Sequence, residues 1–169
     1  MNIRNLVLCL GFVFTFTLSP GLARAANSFS DQDKTFFAKV SQGGMYEVEL
    51  GKLAQDKAVT QDVKDSGNTE MHDHMLVGDK LKSIVEANGM QFPSSLNAEF
   101  QARLDKMSAL PAGQFDAAYI DDMKKIHLAD GAAFKKEASE GSNPDLKAFA
   151  AETYRIVQRH LGELGAKVH

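Results

Sequence analysis

Apolar residues recur at intervals of three and four from about residue 31 onward, while the strict alternation of a half-buried strand is nearly absent. The pattern predicts an all-α chain. Ser30 reads as an N-cap, and the periodic stretch behind it runs from about Asp31 to Ala58. Thr60, with Asp62 behind it, opens a second stretch that stops at Asn88-Gly89. After Pro93 a shorter amphipathic segment carries Leu96, Phe100 and Leu104 and is ended by Pro111. A third long stretch runs from about Gln114 to Glu140. Asn143 then caps a fourth, with Pro144 at its first position.

The links inside the first and second pairs of long helices are short, and about two dozen partly helical residues join the pairs. Such an order predicts a four-helix bundle of the ferritin-like kind, with a simple up-down bundle as the other topology. Projection at about 100° per residue gives each helix an inward face. The first buries Phe36, Phe37, Val40, Gly44, Gly51 and Ala54, with Glu47 near the middle. The second buries Val63, Met71, Val77, Leu81 and Val85, with Glu70 and His74 at the centre. The third buries Phe115, Tyr119, Met123, Ile126 and Phe134, with Asp130 central and His127 at the edge. The fourth buries Leu146, Phe149, Thr153, Val157 and Leu164, with His160 close to the middle.

The run TEMHDHM, residues 69–75, looks like a chelating pair of histidines. On a helix His72 and His74 point about 200° apart, so they cannot share an ion. Glu70 and His74, four apart, stack on one face and can. Counted from the links at about 1.5 Å per residue, Glu47, Glu70, His74, His127 and His160 all fall near mid-bundle.

The first 25 residues change the picture of the whole. Arg4, a short apolar run and Ala-Arg-Ala at 23–25 read as a secretory signal peptide cut after Ala25. The run is too short for an ordinary membrane span. The expectation is therefore a periplasmic or secreted domain, residues 26–169, with no membrane span after cleavage. Loss of Arg4 and Arg24 moves the formal charge from −3 to −5. A mildly acidic surface argues against nucleic acid as a partner. Cys9, the only cysteine, leaves with the signal, so neither a disulfide nor a thiol is expected in the exported chain.

Six ionisable groups on four apolar faces need partners, because an unpaired buried charge is very costly. No Lys or Arg occupies the centre of any of the four faces, so histidines or a divalent cation must compensate. Imidazole with carboxylate suits iron, manganese, zinc or copper. A di-iron site needs a Glu-x-x-His pair on each of two helices, and this chain has none. The predicted arrangement is one ion held by Glu47, His74, His127 and His160, with Glu70 and Asp130 orienting the imidazoles from behind. A metal-free polar network that fixes helix register is the competing expectation.

GGMYEVELGKLA, the Asp-His at 73–74, FDAAYI with His127, and LKAFAAETYRIVQRHL at 146–161 resemble a bacterial family of exported proteins. That family carries a domain-of-unknown-function label, belongs to the ferritin-like superfamily, and often bears an outer-membrane name. The resemblance implies a ferritin-like bundle in the periplasm, with acidic or histidine residues at Glu47, His74, His127 and His160. It implies no reaction. Nothing in the sequence reads as barrel strands or a lipid anchor. The function expected is metal binding or metal-dependent redox and stress protection of the cell envelope. One iron or manganese ion would cycle at an open coordination position while Glu70 or Asp130 moves protons. The other expectation is a non-enzymatic structural or stress-related interaction module that binds no metal. A protein partner is not specified, and self-association is left open.

Overall fold

A computed structural model describes residues 29–165, and within them every regular element is helical. The five helices are α1 (Asp31–Lys57), α2 (Gln61–Ala87), α3 (Ala98–Ala109), α4 (Ala112–Glu140) and α5 (Pro144–Glu163). The signal peptide expected at residues 1–25 lies outside the described residues. No described helix is long and apolar enough to cross a membrane.

Local chemistry sets the ends of the helices. Ser30 Oγ accepts from the Asp33 amide while Asp33 Oδ2 accepts from the Ser30 amide, a capping box that starts α1. Asp33 also accepts from the Ser142 amide through Oδ1 at 2.8 Å, which ties this end of α1 to the α4–α5 turn. Thr60 precedes α2 as expected, but its hydroxyl does not cap the helix. It donates instead to Asp116 Oδ2 at 2.7 Å, joining the α1–α2 turn to the start of α4. Gly89, at φ +78°, lets the Met90 amide return to the Val85 carbonyl and closes α2. α4 begins two residues earlier than the sequence suggests. Pro111 holds Leu110 extended, so two residues suffice to end α3 and restart the chain.

α1 runs along α2 and α4 along α5, while α1 also packs on α4 and α2 on α5. Each long helix thus packs against at least two other long helices. α1 and α2 come into close contact at Gly51 and Gly67. A Cβ at Gly51 would lie 2.6 Å from the Gly67 carbonyl oxygen, and one at Gly67 would lie 2.7 Å from Ala54 Cβ. Only glycine admits that crossing.

The apolar core is in two parts. One is built around Phe36, Phe37, Leu81, Phe134 and Phe149, the other around Tyr46, Leu50, Phe115, Tyr119 and Met123. Polar residues occupy the level between them. α3 closes the second part from outside, where Arg103 binds Asp122 through Nε at 3.0 Å and its guanidinium lies 4.8 Å from the Tyr46 ring.

Candidate metal centre

Glu70, His74, His127 and His160 meet between the two apolar clusters, with one ligand atom of each within 4.8 Å of all the others. α2 supplies Glu70 and His74 one turn apart, α4 supplies His127 and α5 supplies His160. All four are buried, and both His127 and His160 are fully excluded from solvent. The centre of the arrangement is Glu70 Oε2. His160 Nδ1 lies 2.8 Å from it, His127 Nε2 3.2 Å and His74 Nε2 3.3 Å. His127 Nε2 and His160 Nδ1 are 3.0 Å apart.

The outer nitrogens decide where the imidazole protons sit. His127 Nδ1 is 2.8 Å from the Met123 carbonyl oxygen, which can only accept, so this nitrogen carries the hydrogen. His160 Nε2 lies 2.9 Å from Asp73 Oδ2 and 3.2 Å from Arg159 Nη2, and Asp73 is in turn paired with Arg159. His74 Nδ1 faces Glu47 Oε2 at 3.2 Å. With its hydrogen on Nδ1, the neutral His127 ring turns the lone pair of Nε2 toward His160 Nδ1 and the Glu70 carboxylate. Glu70 Oε2 and His74 Nε2 have no hydrogen-bond partner of acceptable geometry. Three nitrogens crowded at 2.8 to 3.3 Å around one carboxylate oxygen need a cation or a proton among them to offset the repulsion of their lone pairs.

The titration behaviour follows from this crowding. Burial pushes Glu70 toward the neutral form, but the three imidazoles outweigh it and hold the carboxyl well below its usual range. Burial pushes His127 down, and the Glu47 and Glu70 carboxylates reverse this and raise it. Burial drives the Glu47 carboxyl well up, only partly offset by His127. Asp130 is also raised by burial, against the pull of Lys39.

The six candidates from the sequence do not play equivalent parts. Glu70 rather than Glu47 stands at the meeting point of the three inner nitrogens. Glu47 touches the outer sides instead, its Oε1 lying 3.4 Å from His127 Nδ1. Asp130 faces Lys39 Nζ at 3.4 Å. Lys39 is not central on the α1 face, but its long stem carries the ammonium in to a carboxyl that seemed to lack a basic partner. Gly43 makes room for that carboxyl, since a Cβ there would lie 2.6 Å from Asp130 Oδ2. His127, placed at the edge of its face by projection, is completely buried. His72 is exposed and takes no part. Asp73 was missed. Its signal lay in the helical turn it shares with Glu70, three residues away, at the rim of the inward face.

Among its described residues the molecule is thus all-helical, with a buried cluster of three histidines and one glutamate that could hold a metal ion. A family model described as Domain of unknown function (DUF4142) matches residues 19–166, and the chain belongs to that family. No curated protein and no solved structure matches the chain.

Proposed function

We propose that the protein is an exported ferritin-like four-helix bundle that holds one transition-metal ion, serving metal handling or protection of the cell envelope. His74 Nε2, His127 Nε2, His160 Nδ1 and Glu70 Oε2 would hold the ion. Glu47, the Met123 carbonyl and Asp73 would orient the imidazoles from outside. The observation that carries the reading is the convergence of three imidazole nitrogens on one carboxylate oxygen, with Glu70 Oε2 and His74 Nε2 left without a hydrogen-bond partner. A four-coordinate ion at about 2.0–2.1 Å from N and O donors separates them by about 3.3 Å. Four of the six separations here, at 2.8 to 3.3 Å, are close to that spacing, and all six are within 4.8 Å.

Four protein donors in a buried site describe a closed centre, which favours holding an ion over turning over a substrate on it. Zinc, iron, manganese and copper all suit the donors. A bound ion would supply Lewis acidity or, for the last three, one-electron redox capacity. Export rests on Arg4, the apolar run and Ala-Arg-Ala at 23–25.

One observation favours the second reading, a metal-free polar network. His127 is pushed toward its protonated form, and a single proton on Nε2 would satisfy both His160 and Glu70. Elemental analysis decides between them. Protein exported to the periplasm and purified without a histidine tag is compared with a His74→Ala, His160→Ala double variant. One equivalent of metal that disappears in the variant is expected. Wild type that stays empty after reconstitution with each of the four metals would reject the metal centre.

A further inference from the structure

A cavity of about 510 Å³ lies between α1, α2 and the segment that leads from α2 into α3. Its buried wall is apolar, formed by Val40, Leu81, Phe134 and Phe149. Four buried polar residues also line it: Ser41, Glu47, His74 and Asp130. The exposed Met75, Asp79 and Lys82 stand at its mouth. Gln42 pins the covering segment from α1, donating to the Ser95 carbonyl at 3.3 Å and accepting from the Asn97 amide at 2.6 Å.

Two glycines in the lining are otherwise unexplained. Gly44 lies inside α1 and Gly78 inside α2, where glycine weakens a helix relative to alanine. Gly43, Gly51 and Gly67 are required by close contacts of 2.6 to 2.7 Å. Gly44 is not: a Cβ there would have only His74 Nδ1 nearby, at an ordinary 3.8 Å. A Cβ at Gly78 would meet nothing within 4 Å. What both absences do is keep the cavity open.

We infer that this cavity is a binding site for a small amphipathic molecule, with an aromatic or branched apolar body and an N–H or O–H donor head. The volume suits a compact organic ligand, and an apolar lining with a few convergent polar groups is the composition of such sites. Carboxyl groups at Glu47 and Asp130 select a donor rather than an anion. The head group then sits beside Glu47, one contact from the outer nitrogen of His74. The site needs no metal, so it stands whether or not the ion binds.

The probe is N-phenyl-1-naphthylamine, an apolar aromatic with one N–H donor, titrated by fluorescence into the full chain with and without added zinc. Saturable one-to-one binding tighter than about 100 µM is expected in both, and Gly78→Leu should weaken it by at least about tenfold. Gly78→Ala adds one methyl group to the lining and should weaken binding measurably but less than Gly78→Leu, with both variants melting no lower than wild type. 1-Phenylnaphthalene, which lacks the donor, should bind several-fold more weakly. Absence of saturable binding, or equal binding by Gly78→Leu, overturns the site. Equal affinity for the two probes overturns the polar head. Loss of binding in Leu128→Ser, on the far α4–α5 surface, would place the probe elsewhere and overturn it too. None of these readouts depends on the elemental analysis, so the two proposals fail separately.

Discussion

Replacing Glu70 with Gln removes one charge at nearly constant shape and tests which carboxylate belongs at the centre. Its Oε2 is 2.8, 3.2 and 3.3 Å from three imidazole nitrogens, whereas Glu47 approaches only the outer nitrogens of His74 and His127. Structural zinc sites with four ligands contribute about 10–16 kcal/mol, so one ligand is worth roughly 3–4 kcal/mol. Glu70→Gln should therefore weaken metal binding by about two to three orders of magnitude. Glu47→Gln removes an orienting contact and should cost about 10- to 100-fold. Affinities are read by competition with a chromogenic chelator, using zinc and then cobalt, whose visible absorption reports the coordination. In metal-free protein Glu70→Gln also removes a carboxylate that raises His127, so its imidazole should titrate at lower pH by NMR. A larger loss for Glu47→Gln than for Glu70→Gln would refute the geometry and restore Glu47 as the fourth ligand. Unchanged affinity in both would refute the centre itself.

Other substitutions test the surroundings. Asp73→Ala should weaken metal binding about tenfold through the freed His160 ring, yet shift unfolding by under about 1 kcal/mol, because the Asp73–Arg159 pair is partly exposed. Gly51→Ala gains about 1 kcal/mol of helix propensity but forces a Cβ to within 2.6 Å of the Gly67 carbonyl oxygen. A net loss of roughly 1–2 kcal/mol in chemical denaturation is expected, and a more stable variant would contradict the close α1–α2 crossing. Burial and the adjacent Asp33 carboxyl push Glu137 up to about 7. An acid raised this way keeps its proton in the folded state, so stability should fall as pH rises from about 4.5 through 7. The shift is worth up to about 3 kcal/mol undiluted and roughly half that with solvent screening. Glu137→Gln should flatten this part of the pH–melting curve. Asp33 acts oppositely: burial raises it, but hydrogen bonds from Ser142 and Ser30 and from Glu137 win, so its contribution is lost in acid.

The sequence alone determined the helices and their inward faces. The period of apolar positions and the capping residues are local properties, written within a few residues of the element they specify. That is why Ser30, Asn88-Gly89 and Asn143-Pro144 mark real ends, and why His72 could be separated from His74. Burial of Glu47, Glu70, His74, Asp130 and His160 follows from the same projection. Projection gives a direction but neither a depth nor the neighbour on the next helix. Helix α2 meets α1 at Gly51 and Gly67, and that crossing together with the rotamers sets which oxygen reaches which nitrogen. Glu70 and Glu47 were equivalent by angle, and only packing brought Glu70 to three imidazoles and left Glu47 behind them. Lys39 was invisible as a partner because a flexible stem, not its Cα position, carries its charge to Asp130. The cavity, too, belongs to the tertiary structure, since Gly44 and Gly78 read as weak points in a helix until the space beside them is seen.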